Sequence, residues 1–209
     1  MRLLLFSLYC FLLITFNAEA AISDIPNIYH EVPTLDGLDV CFGGGCAEIR
    51  HISISSSEWA QVVAIFANKT DDDRLKPELE RKQIADAVGK LEAIVGTKIG
   101  TSGDRAGTFN NSKYPGQLDC NDEAINTLTY IHLMQHYGLV KLHEAEDLHT
   151  RGFFLNGWPH STAVIREKAT GKRFAVDSWF YDNGEPATIV PFELWKSGYI
   201  PADSPVRTR

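Results

Sequence analysis

The apolar positions in the middle of the chain recur with the spacing of α-helices. The segment SSSEWAQVVAIFANK predicts one helix, with Ser56 or Ser57 as its N-cap. A second helix is predicted over residues 77–96, where Pro77 suits a first helical position and Gly96 marks the end. A third, amphipathic helix is predicted over residues 120–138, after a loop rich in Gly, Ser, Asn and Asp.

Beyond residue 148 the pattern changes to short β-rich runs. HSTAVI and RFAVDSWF are separated by the polar turn REKATGK, which is typical of a β-hairpin. YDNGEP predicts another turn, and Pro191 opens a short helix predicted in PFELWKSG. Because helices come first and antiparallel strands follow, the pattern predicts an α+β fold with N-terminal helices packed on a C-terminal antiparallel sheet.

The first twenty residues have the pattern of a secretory signal peptide. Arg2 precedes an apolar run over residues 3–16, and Ala18-Glu19-Ala20 supplies the small-x-small motif of a cleavage site. The run is shorter than the roughly 20 residues that a spanning helix needs, so no membrane insertion is expected once the signal is removed. Residues 21–209 are expected to form a single domain and a monomer.

Charge and cysteine content narrow the class of partner and the redox compartment. The net charge of −7 argues against nucleic acid as the main partner. In an exported chain Cys41 and Cys46, which flank FGGG, are expected to close a disulfide loop that contributes about 2 kcal/mol. Cys120 is then left over, as a reactive thiol, as a partner for another chain or as a buried structural cysteine.

The predicted hairpin brings a histidine and an aspartate to one face of the sheet. If the turn centres between residues 168 and 169, His160 faces Asp177 directly. If it centres one residue later, His160 faces Trp179, and Asp177 lies one alternate position away. A half-residue change in the turn centre would place the two side chains on opposite faces, because side chains alternate along a strand.

These residues have the types that nucleophilic catalysis requires. A cysteine nucleophile needs a base within hydrogen-bond reach, and that base needs a third group to fix its tautomer. Cys120, His160 and Asp177 would fill these roles. A helix N-terminus stabilises a thiolate, but three neighbouring carboxylates oppose it: Asp119, Asp122 and Glu123.

The motifs LDCNDEA, WPHSTAVI and FAVDSWFYDNGEP together resemble the bacterial transglutaminase-like cysteine proteinases, a branch of the papain and transglutaminase-like superfamily. The similarity is clearest from residue 116 to about residue 195. The resemblance implies a papain/transglutaminase-like fold with the catalytic cysteine at the start of a core helix. It also implies a periplasmic thiol protease that hydrolyses protein or peptide amide bonds, with Cys120 as nucleophile, His160 as base and Asp177 as its orienting group.

The implied chemistry requires no cofactor, but the resemblance suggests calcium as a ligand. In a calcium-dependent member of that family, acidic residues that flank the cysteine bind the ion. Asp119 matches such a position, and Asn121 stands where an acid is expected, although an amide oxygen is also a hard ligand. For the oxyanion, the Cys120 backbone N–H needs a second donor, and Gln117 is the nearest side-chain candidate.

Three other functions remain open from the sequence. Attack by an amine on the acyl-enzyme would give transglutaminase-type crosslinking in place of hydrolysis. A catalytically silent member of the family would bind a peptide or protein partner. His132 and His136 are spaced i, i+4 as in helical zinc sites and would suit a metal hydrolase, although Leu133 stands where a zinc protease has glutamate.

Overall fold

The computed structural model describes residues 32–67, 76–109, 113–152 and 159–208, so the predicted signal peptide lies outside the described residues. In the described ranges the chain order is β1 (Leu38–Phe42), β2 (Glu48–Ile52), α1 (Ser56–Ala67), α2 (Pro77–Ile99), α3 (Cys120–His136), β3 (His143–Ala145), β4 (His149–Arg151), β5 (His160–Glu167), β6 (Arg173–Asp177), β7 (Thr188–Pro191), α4 (Phe192–Lys196) and a final 3-10 turn (Pro205–Thr208). None of the helices in these ranges is long and apolar enough to cross a membrane.

A five-stranded antiparallel sheet lies at the centre of the fold. Its strands run in the order β3-β5-β6-β7, and β4 pairs with β5 further along the same strand. Strands β1 and β2 form a separate two-stranded hairpin. Helices precede most of the sheet in the chain, so the fold belongs to the α+β class that the sequence predicts.

Helix α3 forms the centre of the hydrophobic core. It contacts β5 and β6 of the large sheet, strand β1 of the small hairpin, and helix α2. Because it packs against so many elements, α3 is buried nearly all round, which corrects the prediction of an amphipathic helix. Its polar residues therefore need internal partners. Asn126, for example, accepts from the Cys41 N–H at 2.7 Å and donates to the Cys41 carbonyl at 2.9 Å.

The N-cap of α1 differs by one residue from the prediction of Ser56 or Ser57. Ser55 Oγ accepts the N–H of Glu58, and the Glu58 carboxylate accepts the N–H of Ser55. This reciprocal pair is a capping box, which requires an acidic or amide side chain three residues after the cap. Glu58 meets that spacing for Ser55 alone.

Helix α2 also runs beyond its predicted end at Gly96. It continues to Ile99 and ends at Gly100, whose φ of 86° is the left-handed conformation that glycine adopts readily. A side chain at Gly96 would meet the Ser102 backbone nitrogen at 3.0 Å. Gly96 is thus required for close packing of the following loop and does not stop the helix.

The register of β5 and β6 matches the second of the two turn centres considered above. Ala163 pairs with Val176, and Ile165 pairs with Phe174. Continuing this register places His160 opposite position 179, with Asp177 one alternate position away on the same face. The hairpin therefore keeps the histidine and the aspartate together.

A substitution at Gly89 in α2 tests how closely the turn after β6 packs on this helix. Gly-to-Ala changes inside helices usually stabilise by about 0.5–1 kcal/mol. At Gly89, however, a Cβ would lie 2.4 Å from the Glu185 carbonyl oxygen. We expect Gly89→Ala to destabilise the fold by about 1–3 kcal/mol in urea unfolding, because the backbone must move.

Gly103→Ala is the matched control, since a Cβ at Gly103 meets nothing within 4 Å. We expect it to leave the urea midpoint nearly unchanged. A Gly89→Ala protein as stable as the parent chain would contradict the close packing described here.

Candidate active site

His160 and Asp177 form a buried hydrogen bond across the hairpin. His160 Nε2 lies 2.6 Å from Asp177 Oδ2, and the two residues are 3% and 2% exposed. The indole Nε1 of Trp195 donates to the same carboxylate oxygen, also at 2.6 Å. Two donors on one oxygen fix the orientation of the carboxylate, and the carboxylate in turn fixes the imidazole.

The second imidazole nitrogen of His160 is buried and has no hydrogen-bond partner among the described residues. When Nε2 carries the proton donated to Asp177, Nδ1 of a neutral ring is an acceptor. A buried acceptor without a partner is uncommon in folded proteins and is typical of catalytic groups. The geometry therefore leaves Nδ1 free to take a proton.

Cys120 is the first residue of α3 and carries a free thiol that is 8% exposed. Its sulfur accepts a hydrogen bond from the backbone N–H of Ser161, the residue directly after His160. The thiol thus lies at the end of β5 where the imidazole is held. His160 and Asp177 are joined directly, whereas in the described part of the chain the Cys120 sulfur makes no hydrogen bond to His160 Nδ1.

The environment of the thiol keeps it protonated at neutral pH. Burial raises the pKa of Cys120 to about 11, and the charges of Asp119 and Asp177 act in the same direction. The hydrogen bond from the Ser161 N–H lowers this pKa but does not outweigh burial. A nucleophilic Cys120 therefore needs a base at the moment of attack.

The carboxylates beside Cys120 are bound by backbone N–H groups. Asp119 is the N-cap of α3, and its Oδ1 accepts the N–H groups of Asn121 and Asp122. The Asp122 side chain accepts the N–H of Asp119 in return, which completes a capping box. Asp119 and Asp122 thus cap the N-terminus of α3, the helix whose first residue is Cys120.

A disulfide loop supplies three further donors to these two acids. Cys41 and Cys46 are bonded, and the backbone between them turns through glycines with positive φ. Asp122 accepts from the N–H groups of Gly44 at 2.8 Å and Cys46 at 2.7 Å. Asp119 accepts from the Gly45 N–H at 2.8 Å. The loop therefore offsets negative charge next to the thiol without a cation.

The side chains suggested for calcium do not fit a calcium site. Both carboxylate oxygens of Asp119 accept N–H groups, and Asn121 Oδ1 accepts the Ser161 hydroxyl at 2.7 Å. Ca²⁺ needs six to eight oxygen ligands. In the described part of the chain, no three acidic, histidine or cysteine residues are grouped so as to hold a metal ion.

Gln117 has a different role from the oxyanion donor expected. Its Nε2 donates to the carbonyls of Gly103 at 2.9 Å and Pro115 at 3.3 Å, and its Oε1 accepts the Arg105 N–H at 3.2 Å. Both amide hydrogens are therefore used to hold the loop before α3. Of the two donors that the sequence suggested for an oxyanion, only the Cys120 backbone N–H therefore remains a candidate.

The histidines considered for a metal hydrolase do not form a metal site in the described residues. His132 lines an open cavity of about 660 Å³ whose other lining residues include His149 and Arg173. The His136 ring instead packs on Tyr137, with 4.9 Å between ring centroids. Neither histidine belongs to a group of three or more metal-binding side chains in the described ranges.

Several residues that the sequence did not single out complete the site. Trp195 lies under the imidazole, with 5.8 Å between ring centroids, and Trp179 and Phe180 lie at 4.6 Å and 5.4 Å. Trp179 is the residue that the second hairpin register places opposite His160. Arg151 on β4 pairs directly with His160 on β5. Strand pairing alone reveals Arg151, and no local sequence signal identifies it.

Three buried carboxyl groups lie behind the start of α3. Glu123 and Asp104 share a hydrogen bond, and Ser178 Oγ donates to Glu123 at 2.8 Å. Burial raises the pKa of Glu92 to about 8 and, with the charges of Glu92 and Asp104, raises the pKa of Glu123 well above its usual value. Asp104 also accepts the Leu118 N–H at 2.9 Å, which ties the cluster to the loop before Cys120.

Comparisons of the chain with protein-family models, with curated proteins and with solved structures find no match. The function is therefore inferred from the geometry of this site.

Because burial raises the pKa of several carboxyl groups, we expect the fold to lose stability as the pH rises. Glu92 has a pKa of about 8 and Asp122 of about 6, both raised mainly by burial. At these two acids the folded state binds more protons than the unfolded state between about pH 4 and pH 8, so their contribution to the free energy of unfolding falls across this range. We expect these two acids to lower it by about 5 kcal/mol from pH 5 to pH 8.5, or roughly 10–20 °C in Tm.

Differential scanning calorimetry at a series of pH values would measure this slope. Glu92→Gln should flatten it, because the amide stays neutral, whereas Glu185→Gln at an exposed position should not. A Tm that rises between pH 5 and pH 8.5 would show that these carboxyls ionise without penalty.

Proposed function

We propose that the chain is an exported, periplasmic thiol hydrolase that cleaves amide bonds in proteins or peptides through an acyl-enzyme. Cys120 is the nucleophile, His160 is the general base and Asp177 orients the imidazole. The fold proposed with this function is the papain/transglutaminase-like one, in which a cysteine at the start of a core helix meets a histidine on the sheet. The described chain has both features, with Cys120 at the start of α3 and His160 at the start of β5.

One observation carries the proposal. The imidazole donates from Nε2 to a buried carboxylate and keeps a buried, unpartnered Nδ1, while the thiol contacts the next residue of the same strand. An unreactive buried cysteine would need neither an oriented imidazole nor a carboxylate with two donors. The aromatic rings around His160 exclude water from the site, and electrostatic interactions are stronger where water is excluded.

The chemistry follows from these positions. The thiol proton passes to His160 Nδ1 as the sulfur attacks the amide carbonyl carbon, and the resulting oxyanion is stabilised by the Cys120 backbone N–H. The imidazolium then protonates the leaving amine as the C–N bond breaks. Water, deprotonated by His160, releases the acyl group as a carboxylic acid and restores the thiol. No step requires a metal.

A buried thiol with a raised pKa also suits a second candidate, a silent member that binds a peptide without turning it over. The two candidates differ in whether His160 activates the sulfur. Attack on the acyl-enzyme by an amine, giving a crosslink, shares every earlier step with hydrolysis. Product analysis with and without an added primary amine distinguishes those two outcomes.

Alkylation by iodoacetamide tests the role of His160. In the chain from residue 21 onward, Cys120 is the free thiol. We expect His160→Ala to slow alkylation at pH 7 by at least about tenfold, because the proton then has no acceptor. His136→Ala, at the far end of α3, is the matched control and should react as the parent chain does.

Cleavage of a fluorescent protein substrate such as labelled casein should disappear in Cys120→Ala while Tm stays within about 3 °C. Equal alkylation rates in the parent chain and in His160→Ala would favour the silent binder and exclude the proposed hydrolase. Retained cleavage in Cys120→Ala would exclude this nucleophile.

A further inference from the structure

Arg151 is a buried cation on the strand next to His160. It is 7% exposed and lies directly opposite His160 in the β4–β5 pairing, so the two side chains share one face of the sheet. The charges of Asp177 and Cys120 both act on its guanidinium. A guanidinium so deeply buried is costly unless negative charge lies nearby.

The guanidinium is held in place through backbone carbonyls. Nη1 donates to the carbonyl of Trp195 at 2.6 Å and to that of Tyr199 at 2.9 Å. Its Cζ lies 4.9 Å from the centroid of the Trp195 ring, the same indole that donates to Asp177. Arg151 therefore holds the tryptophan that orients the carboxylate.

Part of the guanidinium has no protein partner. Nε is buried and has no hydrogen-bond acceptor among the described residues. Carbonyl groups accept the Nη1 hydrogens but carry no net charge, so they do not neutralise the side chain. The positive charge of Arg151 is thus available to the negative groups of the site.

We propose that Arg151 is a positioning residue of the Cys120 site, which balances the charge of Asp177 and holds Trp195 against that carboxylate. This inference rests on the proposed function. With Arg151 present, the charges of Arg151, Asp177, His160 and Cys120 sum to zero. This holds for the thiol with a neutral imidazole and for the thiolate with an imidazolium. Asp119, whose charge also acts on the thiol, accepts backbone N–H groups in every variant. Without Arg151, Asp177 leaves a net negative charge in both states, and that charge opposes thiolate formation.

The pH dependence of Cys120 alkylation depends on the charged and titratable groups next to the Arg151 guanidinium. His160 lies opposite it on β5, and the charges of Asp177, on β6, and Cys120, at the start of α3, act on it. The segment from α4 onward contributes the Trp195 and Tyr199 carbonyls. The alkylation rate of Cys120 as a function of pH reads the thiolate directly and is the observable that Arg151 should change.

The experiment compares Arg151→Gln, Arg151→Lys and the control Arg173→Gln, all in the chain from residue 21 onward. Iodoacetamide rates are measured from pH 5 to pH 10, with Tm recorded for each variant. We expect Arg151→Gln to slow alkylation about tenfold at each pH below the pKa of the thiol, which corresponds to a rise of about one unit in that pKa. Arg151→Lys keeps the charge but not the stacked guanidinium, so it should slow alkylation by less than about threefold.

Arg173→Gln is the matched control because Arg173 is a half-buried arginine on β6 that pairs with Glu146 and should leave the pH profile unchanged. A folded Arg151→Gln with the parent rate at each pH would overturn the proposal, and so would an Arg151→Lys slowed as much as Arg151→Gln. If Arg151→Gln does not fold, Arg151→Lys decides: a rate within about threefold of the parent chain supports the role of charge, and a rate about tenfold lower overturns it.

The same series separates this proposal from the proposed function. A parent rate that does not depend on His160 would overturn the hydrolase itself. A rate that depends on His160 but is the same at each pH with and without Arg151 would overturn only the role of Arg151.

Discussion

The register between β5 and β6 is the constraint on which the site depends. His160 and Asp177 meet because the hairpin turn keeps them on one face of the sheet, and a half-residue change in the turn centre would separate them. The pairing of β4 with β5 then adds Arg151 to that face, and α4 brings Trp195 over it. The β5–β6 register therefore positions His160 and Asp177, the β4–β5 pairing and α4 add Arg151 and Trp195, and the sulfur of Cys120 arrives separately on α3.

The acidic residues around Cys120 have a structural purpose that the sequence does not reveal. Asp119 and Asp122 begin helix α3 and anchor the disulfide loop through three of its N–H groups. This arrangement places the two acids among donors, so they do not need calcium. It also ties an N-terminal loop to the helix that carries the thiol, which explains why CFGGGC is rich in glycine: residues 43–45 adopt positive φ.

Local signals were sufficient for the helices, the β5–β6 hairpin, the disulfide pair and the position of Cys120 at a helix start, because periodicity, turn residues and loop closure depend on neighbours in sequence. Features set by distant contacts were missed or wrong. Helix α2 continues beyond Gly96, because this glycine allows close packing of the following loop and does not end the helix. The Gln117 side chain donates to a backbone carbonyl of the loop before α3. The short strands β3 and β7 and the role of Arg151 depend on pairing partners far away in the chain.

The most direct test of the account is to look for the covalent intermediate. The chain from residue 21 onward would be mixed with a peptide nitrophenyl ester, quenched in acid within milliseconds to seconds, and digested for mass spectrometry. We predict an acyl group on Cys120 that appears before the steady state and decays with turnover, and that heat-denatured protein does not acquire at the same rate. Consumption of the ester with no adduct on Cys120, or with the acyl group on another residue, would contradict the account.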